Sequence, residues 1–224
     1  MKSVIFDLDG TLADTSGDLL AAANHCFRDM GFGDVLTHGP DSGVALRGGK
    51  FMLTTGLKRV EAYEEAKVDA YYPMLLEAYG AAISQQTTLY PGAMEAVEML
   101  KSQGYAVGIC TNKPENLAHQ LLEELGVLSA FGSLVGANTL PVRKPDPAPL
   151  FEAVKRLNCD PRQCLLVGDS DTDRNTAKAA DVPSVLVTFG PSGEDMAALE
   201  PEALLEDFAA LPSVVQALLG PAKS

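Results

Sequence analysis

No segment of this 224-residue chain carries the run of about 18 consecutive apolar residues that a membrane-spanning helix needs. Basic residues are also scarce. Lys and Arg total 17 against 30 Asp and Glu, a formal charge of −13. A field of that sign repels polyanions, so nucleic acid and anionic membrane surfaces are poor partners. If the substrate is itself an anion, the site must supply its own local positive charge, for which a bound metal is the simplest source. Cys26, Cys110, Cys159 and Cys164 form no CxxC pair and no metal-ligand spacing. The strand-like Ser3-Val4-Ile5-Phe6 is not preceded by the basic and apolar regions of a secretory leader. A cytoplasmic, reduced protein is the expectation, with Cys110 and Cys164 as small buried hydrophobes inside strand-like runs. His25, His38 and His119 lie too far apart for a ligand pair or a triad and read as surface or helix-face residues.

What the chain does have is core material. Hydrophobic residues make up 46% and charged residues 21%, too apolar for a disordered chain. Short β-rich runs recur at Val4-Ile5-Phe6, Tyr105 to Cys110, Ser133 to Val135, Cys164 to Val167 and Ser184 to Val187. Amphipathic stretches of helical length fill the later gaps: Gly92 to Gln103, Pro114 to Leu125, Pro147 to Leu157 and Thr172 to Ala180. Strands alternating with such helices predict βαβ crossovers and a doubly wound, Rossmann-like parallel sheet, an α/β fold. The first gap breaks the rhythm. From Ser16 to Ile83 the pattern is helical, beginning with Leu19, Leu20, Ala23, Phe27 and Met30, with Asp14 or Ser16 as N-cap and Gly31 as terminator. Val60 to Tyr79 predicts a further helix, broken or kinked at Pro73. An insertion of about 65 residues is far too long for a βα connection and predicts a separate helical cap domain at 16–83, with the core at 1–15 and 84–224. Helical periodicity returns from Glu200 to Leu219.

In open α/β sheets ligands bind beyond the carboxyl ends of the strands. Those positions are chemically rich here: Asp7-Leu8-Asp9-Gly10-Thr11 after strand one, Thr111-Asn112-Lys113 after strand two, Lys144 after strand three, and Gly168-Asp169-Ser170-Asp171-Thr172-Asp173 after strand four. Carboxylates gathered at one sheet edge repel unless a cation intervenes, and a hard divalent ion such as Mg2+ suits oxygen ligands and a phosphate. An Asp there can attack a phosphoryl group and form an aspartyl-phosphate, with Lys144 and the Thr111 hydroxyl holding the charged oxygens. Asp9, two residues after Asp7 and on the same side of an extended backbone, can give the leaving oxygen its proton.

Asp7-Leu8-Asp9-Gly10-Thr11-Leu12, then Thr111, Lys144-Pro145, and Gly168-Asp169 with Asp173, resemble the four ordered motifs of the haloacid dehalogenase superfamily, with a helical cap inserted after the first. Asp14-Thr15 to Gly31, Leu140 to Leu157 and Val167 to Gly190 resemble its phosphoglycolate phosphatase branch. The resemblance implies Asp7 as nucleophile and metal ligand, Asp9 as acid/base and ligand through its backbone carbonyl, and Asp169 completing the metal site. It implies Thr111, Lys144 and Asn112 as phosphoryl holders and Asp173 as the residue that orients Lys144 or a metal-bound water, with Gly10 and Ser170 in supporting places. Dehalogenase and phosphonate-cleaving members lack the second carboxylate of the first motif, so Asp9 favours phosphoryl transfer. Arg47 and Lys50, flanking Gly48-Gly49, either bind the carboxylate end of a small phosphorylated acid or form an exposed cationic loop. Hydrolysis of a small phosphomonoester, with 2-phosphoglycolate preferred, is the leading reading. A β-phosphoglucomutase-like mutase, a broad sugar phosphatase and a receiver-like phosphorylation switch are the alternatives. The chain is expected to work as a monomer or homodimer.

Overall fold

The computed structural model describes residues 1–191 and 195–222. The chain forms two compact units, one of Met1–Ala13, Leu89–Gly190 and the C-terminal stretch, the other of Asp14–Thr88, where the expected insertion was 16–83. The chain leaves the first unit through β2 (Ala13–Asp14) and returns through β3 (Thr88–Leu89), two short strands with no counterpart in the sequence pattern.

The first unit is built on a six-stranded sheet whose paired strands are all parallel. β1 (Ser3–Phe6) lies between β4 (Ala106–Cys110) and β6 (Cys164–Gly168). β5 (Leu134–Val135) extends the sheet beyond β4, and β7 (Ser184–Val187) and β8 (Ala203–Leu205) extend it beyond β6. Phe6 faces Ile109 on one side and Val167 on the other, so the segments leaving β1, β4 and β6 emerge together at one sheet edge. Flanking helices are α5 (Ala93–Ser102), α6 (Glu115–Glu124), α7 (Ala148–Arg156), α8 (Asp171–Ala179) and α9 (Leu211–Leu219). A sheet covered on both faces needs strands that are apolar throughout, and Val4, Ile5, Phe6 and Cys164 to Val167 are fully buried. Cys110 and Cys164 pack in one cluster with Ile5, Leu150, Val154 and Leu166. At roughly 1.5–3 kcal/mol for each large side chain removed from water, this layer supplies much of the folding drive.

The C-terminal stretch departs from the helical expectation. Ala203–Leu205 is an edge strand in register with Val185 to Val187, and only Leu211–Leu219 is α-helical. Three residues are too few for their own periodicity to distinguish strand from helix, and the free edge of β7 decides.

In the second unit α1 (Ser16–Asp29), α2 (Ser42–Leu46), α3 (Gly49–Arg59) and α4 (Glu65–Ala81) pack together. Thr15 holds the N-cap position of α1, while the Asp14 carboxylate accepts from the Ser16 N–H at 3.0 Å, so Asp14 does the capping work from one residue further out. The break expected at Pro73 is absent. α4 begins after a turn at Val60 to Glu64 and runs unbroken through Pro73, whose exposed position leaves the freed carbonyl of the preceding turn open to water. The buried Asp18 carboxylate accepts from the backbone N–H groups of Gln86 and Thr87 and from the Thr87 hydroxyl, tying the start of α1 to the end of the insertion. No helix among the described residues is long and apolar enough to cross a membrane.

Two features of the helical unit generate tests. A Cβ on Gly56 of α3 would fall 2.1 Å from the Phe27 ring, so Gly56→Ala, ordinarily a helix-stabilising change, should destabilise by about 1–3 kcal/mol and lower the Tm by several degrees. Arg59 grips Asp41 through both guanidinium nitrogens at 2.7 and 2.9 Å, and this hydrogen bonding holds the Asp41 carboxyl below its usual range. A lowered folded-state value contributes stability above the unfolded value and loses it as pH falls through the folded one. Thermal melts should therefore show Asp41→Asn less stable than wild type at pH 7, with the gap closing below about pH 3 to 4.

Candidate active site

β1 ends at Phe6, and the next residue, Asp7, is fixed by its N–H donating to the Val167 carbonyl of β6 at 2.8 Å. Its side chain points to a cluster in which Asp7, Asp169 and Asp173 each offer an oxygen within 4.8 Å of the others. The Lys144 ammonium, 1% exposed, lies 2.6 Å from Asp173 Oδ1 and 3.0 Å from Asp7 Oδ1. The second contact is an ion pair without hydrogen-bond geometry, and Asp7 Oδ1 has no hydrogen-bond donor. Burial foremost, and the neighbouring charges of Asp173 and Asp9, raise the Asp7 carboxyl to about 6 despite the opposing pull of Lys144. Burial, then Asp173 and Asp7, push Asp169 well above the carboxylate range. Burial alone would discharge Lys144, but Asp173 and Asp7 overcome it and hold the ammonium above its ordinary value. The Cys110 thiol beneath is pushed up to about 12, chiefly by burial, and stays protonated.

The turn after β6 is built around a glycine. A Cβ on Gly168 would lie 2.4 Å from that of Asp173, so only glycine lets the first turn of α8 approach so closely. Ser170 caps α8: its Oγ accepts from the Asp173 N–H at 3.3 Å and donates to Asp173 Oδ2 at 2.6 Å. Thr11 donates to Asp169 Oδ1 at 2.8 Å, and Gly10, at φ +82°, makes the turn that brings Thr11 back.

Thr111, directly after β4, is buried, and its Oγ1 accepts from the Lys113 N–H at 3.2 Å. The Asn112 side chain donates to the Lys144 carbonyl at 3.0 Å, so its amide holds the lysine segment. Asp9 does not join the three-carboxylate cluster. β1 ends too early for period-two alternation to apply, and the Asp9 carboxylate instead meets the buried Lys113. Lys113 and Thr11 were not singled out from sequence. The signal for Lys113 was a cation inside a strand-end motif, and for Thr11 a hydroxyl inside the first motif. Arg47 and Lys50 belong to the helical unit. Arg47 lies 4.3 Å over the Phe51 ring, and Lys50 pairs with Asp69 at 2.6 Å. None of the three histidines is in the cluster.

Three carboxylates, those of Asp169 and Asp173 buried and that of Asp7 half-buried, outnumber the one ammonium. With oxygen donors throughout and a carboxylate oxygen lacking a donor, the group fits a hard divalent cation.

Comparison with known proteins agrees with this geometry. Residues 4–187 match the model of the haloacid dehalogenase-like hydrolases. The chain is 35% identical over 221 residues to the phosphoglycolate phosphatase of Agrobacterium fabrum, covering 96% of this chain and 93% of that one. Its identity to the phosphoglycolate phosphatase of Rhodospirillum rubrum is 37% over 214 residues, covering 94% and 89%. The crystal structure of a predicted phosphoglycolate phosphatase from Haemophilus somnus 129PT superposes with a TM-score of 0.85 at 28% identity, covering 96% of this chain and 98% of the other.

Removing one partner of a buried ion pair leaves uncompensated charge. In divalent-free buffer, urea denaturation of Lys144→Met should show a loss of about 3–5 kcal/mol, and adding Asp173→Asn to it should recover part of that loss.

Proposed function

The chain belongs to the haloacid dehalogenase-like hydrolase family, and on that premise we propose that it is a magnesium-dependent phosphomonoester hydrolase acting through an aspartyl-phosphate on Asp7, with 2-phosphoglycolate as its substrate. The observation that carries the reading is the Asp7 carboxylate itself: half-buried just after β1, with one buried oxygen lacking a donor, and close to Lys144, Asp169 and Asp173. The names of the relatives at 35% and 37% identity support the choice of substrate.

Asp7 and Asp169 would hold the ion, with the Asp9 carbonyl as a further ligand and Asp173 close by. Bound there, Mg2+ would neutralise charge on the phosphoryl oxygens and lower the population of protonated Asp7. The protein's own residues do the rest. An Asp7 oxygen bonds to phosphorus while the bond from phosphorus to the ester oxygen breaks, its electron pair leaving with that oxygen. Asp9 gives this oxygen its proton and becomes a carboxylate. A water oxygen then bonds to phosphorus, Asp9 takes the proton, and the Asp7 carboxylate is released. Lys144 and the Thr111 hydroxyl hold the phosphoryl oxygens as charge shifts among them. Asn112 keeps Lys144 in place through its backbone carbonyl, and Ser170 and Gly10 shape the turns that present Asp173 and Asp169. Arg47 and Lys50 have the charge to read the substrate carboxylate from the helical unit.

The test is phosphate release from a panel of small esters, including 2-phosphoglycolate, sugar phosphates and nucleotides, with magnesium and with chelator. The expected outcome is a magnesium-dependent preference for 2-phosphoglycolate, a fall of roughly 1,000-fold or more in kcat for Asp7→Asn with the melting curve retained, and a raised KM for Arg47→Ala. Full activity in Asp7→Asn would overturn the mechanism. Broad, weak hydrolysis would overturn the substrate.

A further inference from the structure

Lys113 is the second buried ammonium of the core unit, and the mechanism above does not use it. Its side chain is 3% exposed, and Nζ donates to both oxygens of Asp9, at 2.7 and 2.9 Å. Its backbone is fixed from both sides, with the N–H donating to Thr111 Oγ1 at 3.2 Å and the carbonyl accepting from the Ala137 N–H at 2.9 Å. The stem therefore starts from a fixed backbone position and reaches the Asp9 carboxylate.

We propose that Lys113 is a positioning residue for the acid/base step, holding the Asp9 carboxyl group in one orientation through contacts to both of its oxygens. The inference rests on the hydrolase reading. The geometry supports it in two ways. A cation touching both oxygens restrains rotation of the carboxyl group, so Asp9 keeps one orientation. An ammonium is a compact charge with three donors, so one Nζ reaches both oxygens of Asp9 at once. The distances of Lys144 to Asp7 and Asp173 assign that lysine to the nucleophile's side of the site, so the two ammonium groups divide the work.

The consequence depends on the leaving group. An alkoxide needs the proton from Asp9, while 4-nitrophenolate leaves without it. The experiment compares kcat/KM, which reports only the first half-reaction, for 2-phosphoglycolate and 4-nitrophenyl phosphate in wild type, Lys113→Met, Lys113→Arg and Asp9→Asn. The expected result is a loss of roughly 100-fold on the alkyl ester in Lys113→Met against less than about 3-fold on the aryl ester. Lys113→Arg should recover part of the alkyl activity, and Asp9→Asn should repeat the pattern with no further loss when combined with Lys113→Met. If Lys113→Met does not fold, Lys113→Gln, which keeps a donor without the charge, carries the same comparison. Equal losses on both esters, or none on either, would overturn the role and leave Lys113 a structural partner. A wild-type protein inactive on both esters would instead overturn the hydrolase reading, and this inference with it.

Discussion

The Lys144 ammonium is the group that makes the candidate site possible. Three carboxylates cannot be buried within reach of one another without compensating charge, and Lys144 supplies it from 2.6 Å to Asp173 and 3.0 Å to Asp7. Other features of the core unit serve that placement. Gly168 lets Asp173 come close, Ser170 caps the helix that carries it, and Asn112 grips the lysine segment by its carbonyl. The compensation is partial by construction. Asp7 sits at about 6 rather than near the ordinary carboxylate value, chiefly because burial removes its water. A site left short of positive charge in this way suits a hard divalent cation.

Charge is distributed very differently at the two scales. The whole chain is strongly acidic, at −13, a field that opposes the approach of an anionic substrate. Locally the core unit buries two ammonium groups behind the sheet edge, Lys144 against Asp7 and Asp173, and Lys113 against Asp9. Buried charges are poorly screened by salt, so these two act at full strength where exposed lysines would not. In the helical unit the cations are exposed instead, Lys50 paired with Asp69 and Arg47 lying on Phe51, where such contacts contribute little.

Much of the architecture was legible in the residues. Near-continuous apolar runs of four or five residues, punctuated by glycine and separated by amphipathic helices, specify a parallel sheet because only strands covered on both faces tolerate that composition. The first motif, the strand-end threonine, the lysine and the second carboxylate cluster were all visible as chemistry at strand ends. The misreadings occurred where local pattern was short or ambiguous. Ala203–Leu205 has too little length to declare itself a strand, and Pro73 lies exposed inside a helix, Glu65–Ala81, that does not break there.

By itself the sequence determined the doubly wound class, the helical insertion and the set of residues at the carboxyl edge, because periodicity and turn chemistry act over a few neighbours along the chain. Tertiary structure alone decided which charge meets which. Lys113 finds Asp9 across 104 residues of chain, Thr11 finds Asp169 across 158, and Lys144 takes Asp173 across 29. Such pairings depend on strand order and register, and no local pattern encodes them. Two lysines following neighbouring strands look alike in sequence, and only the packed sheet gives one to Asp7 and Asp173 and the other to Asp9.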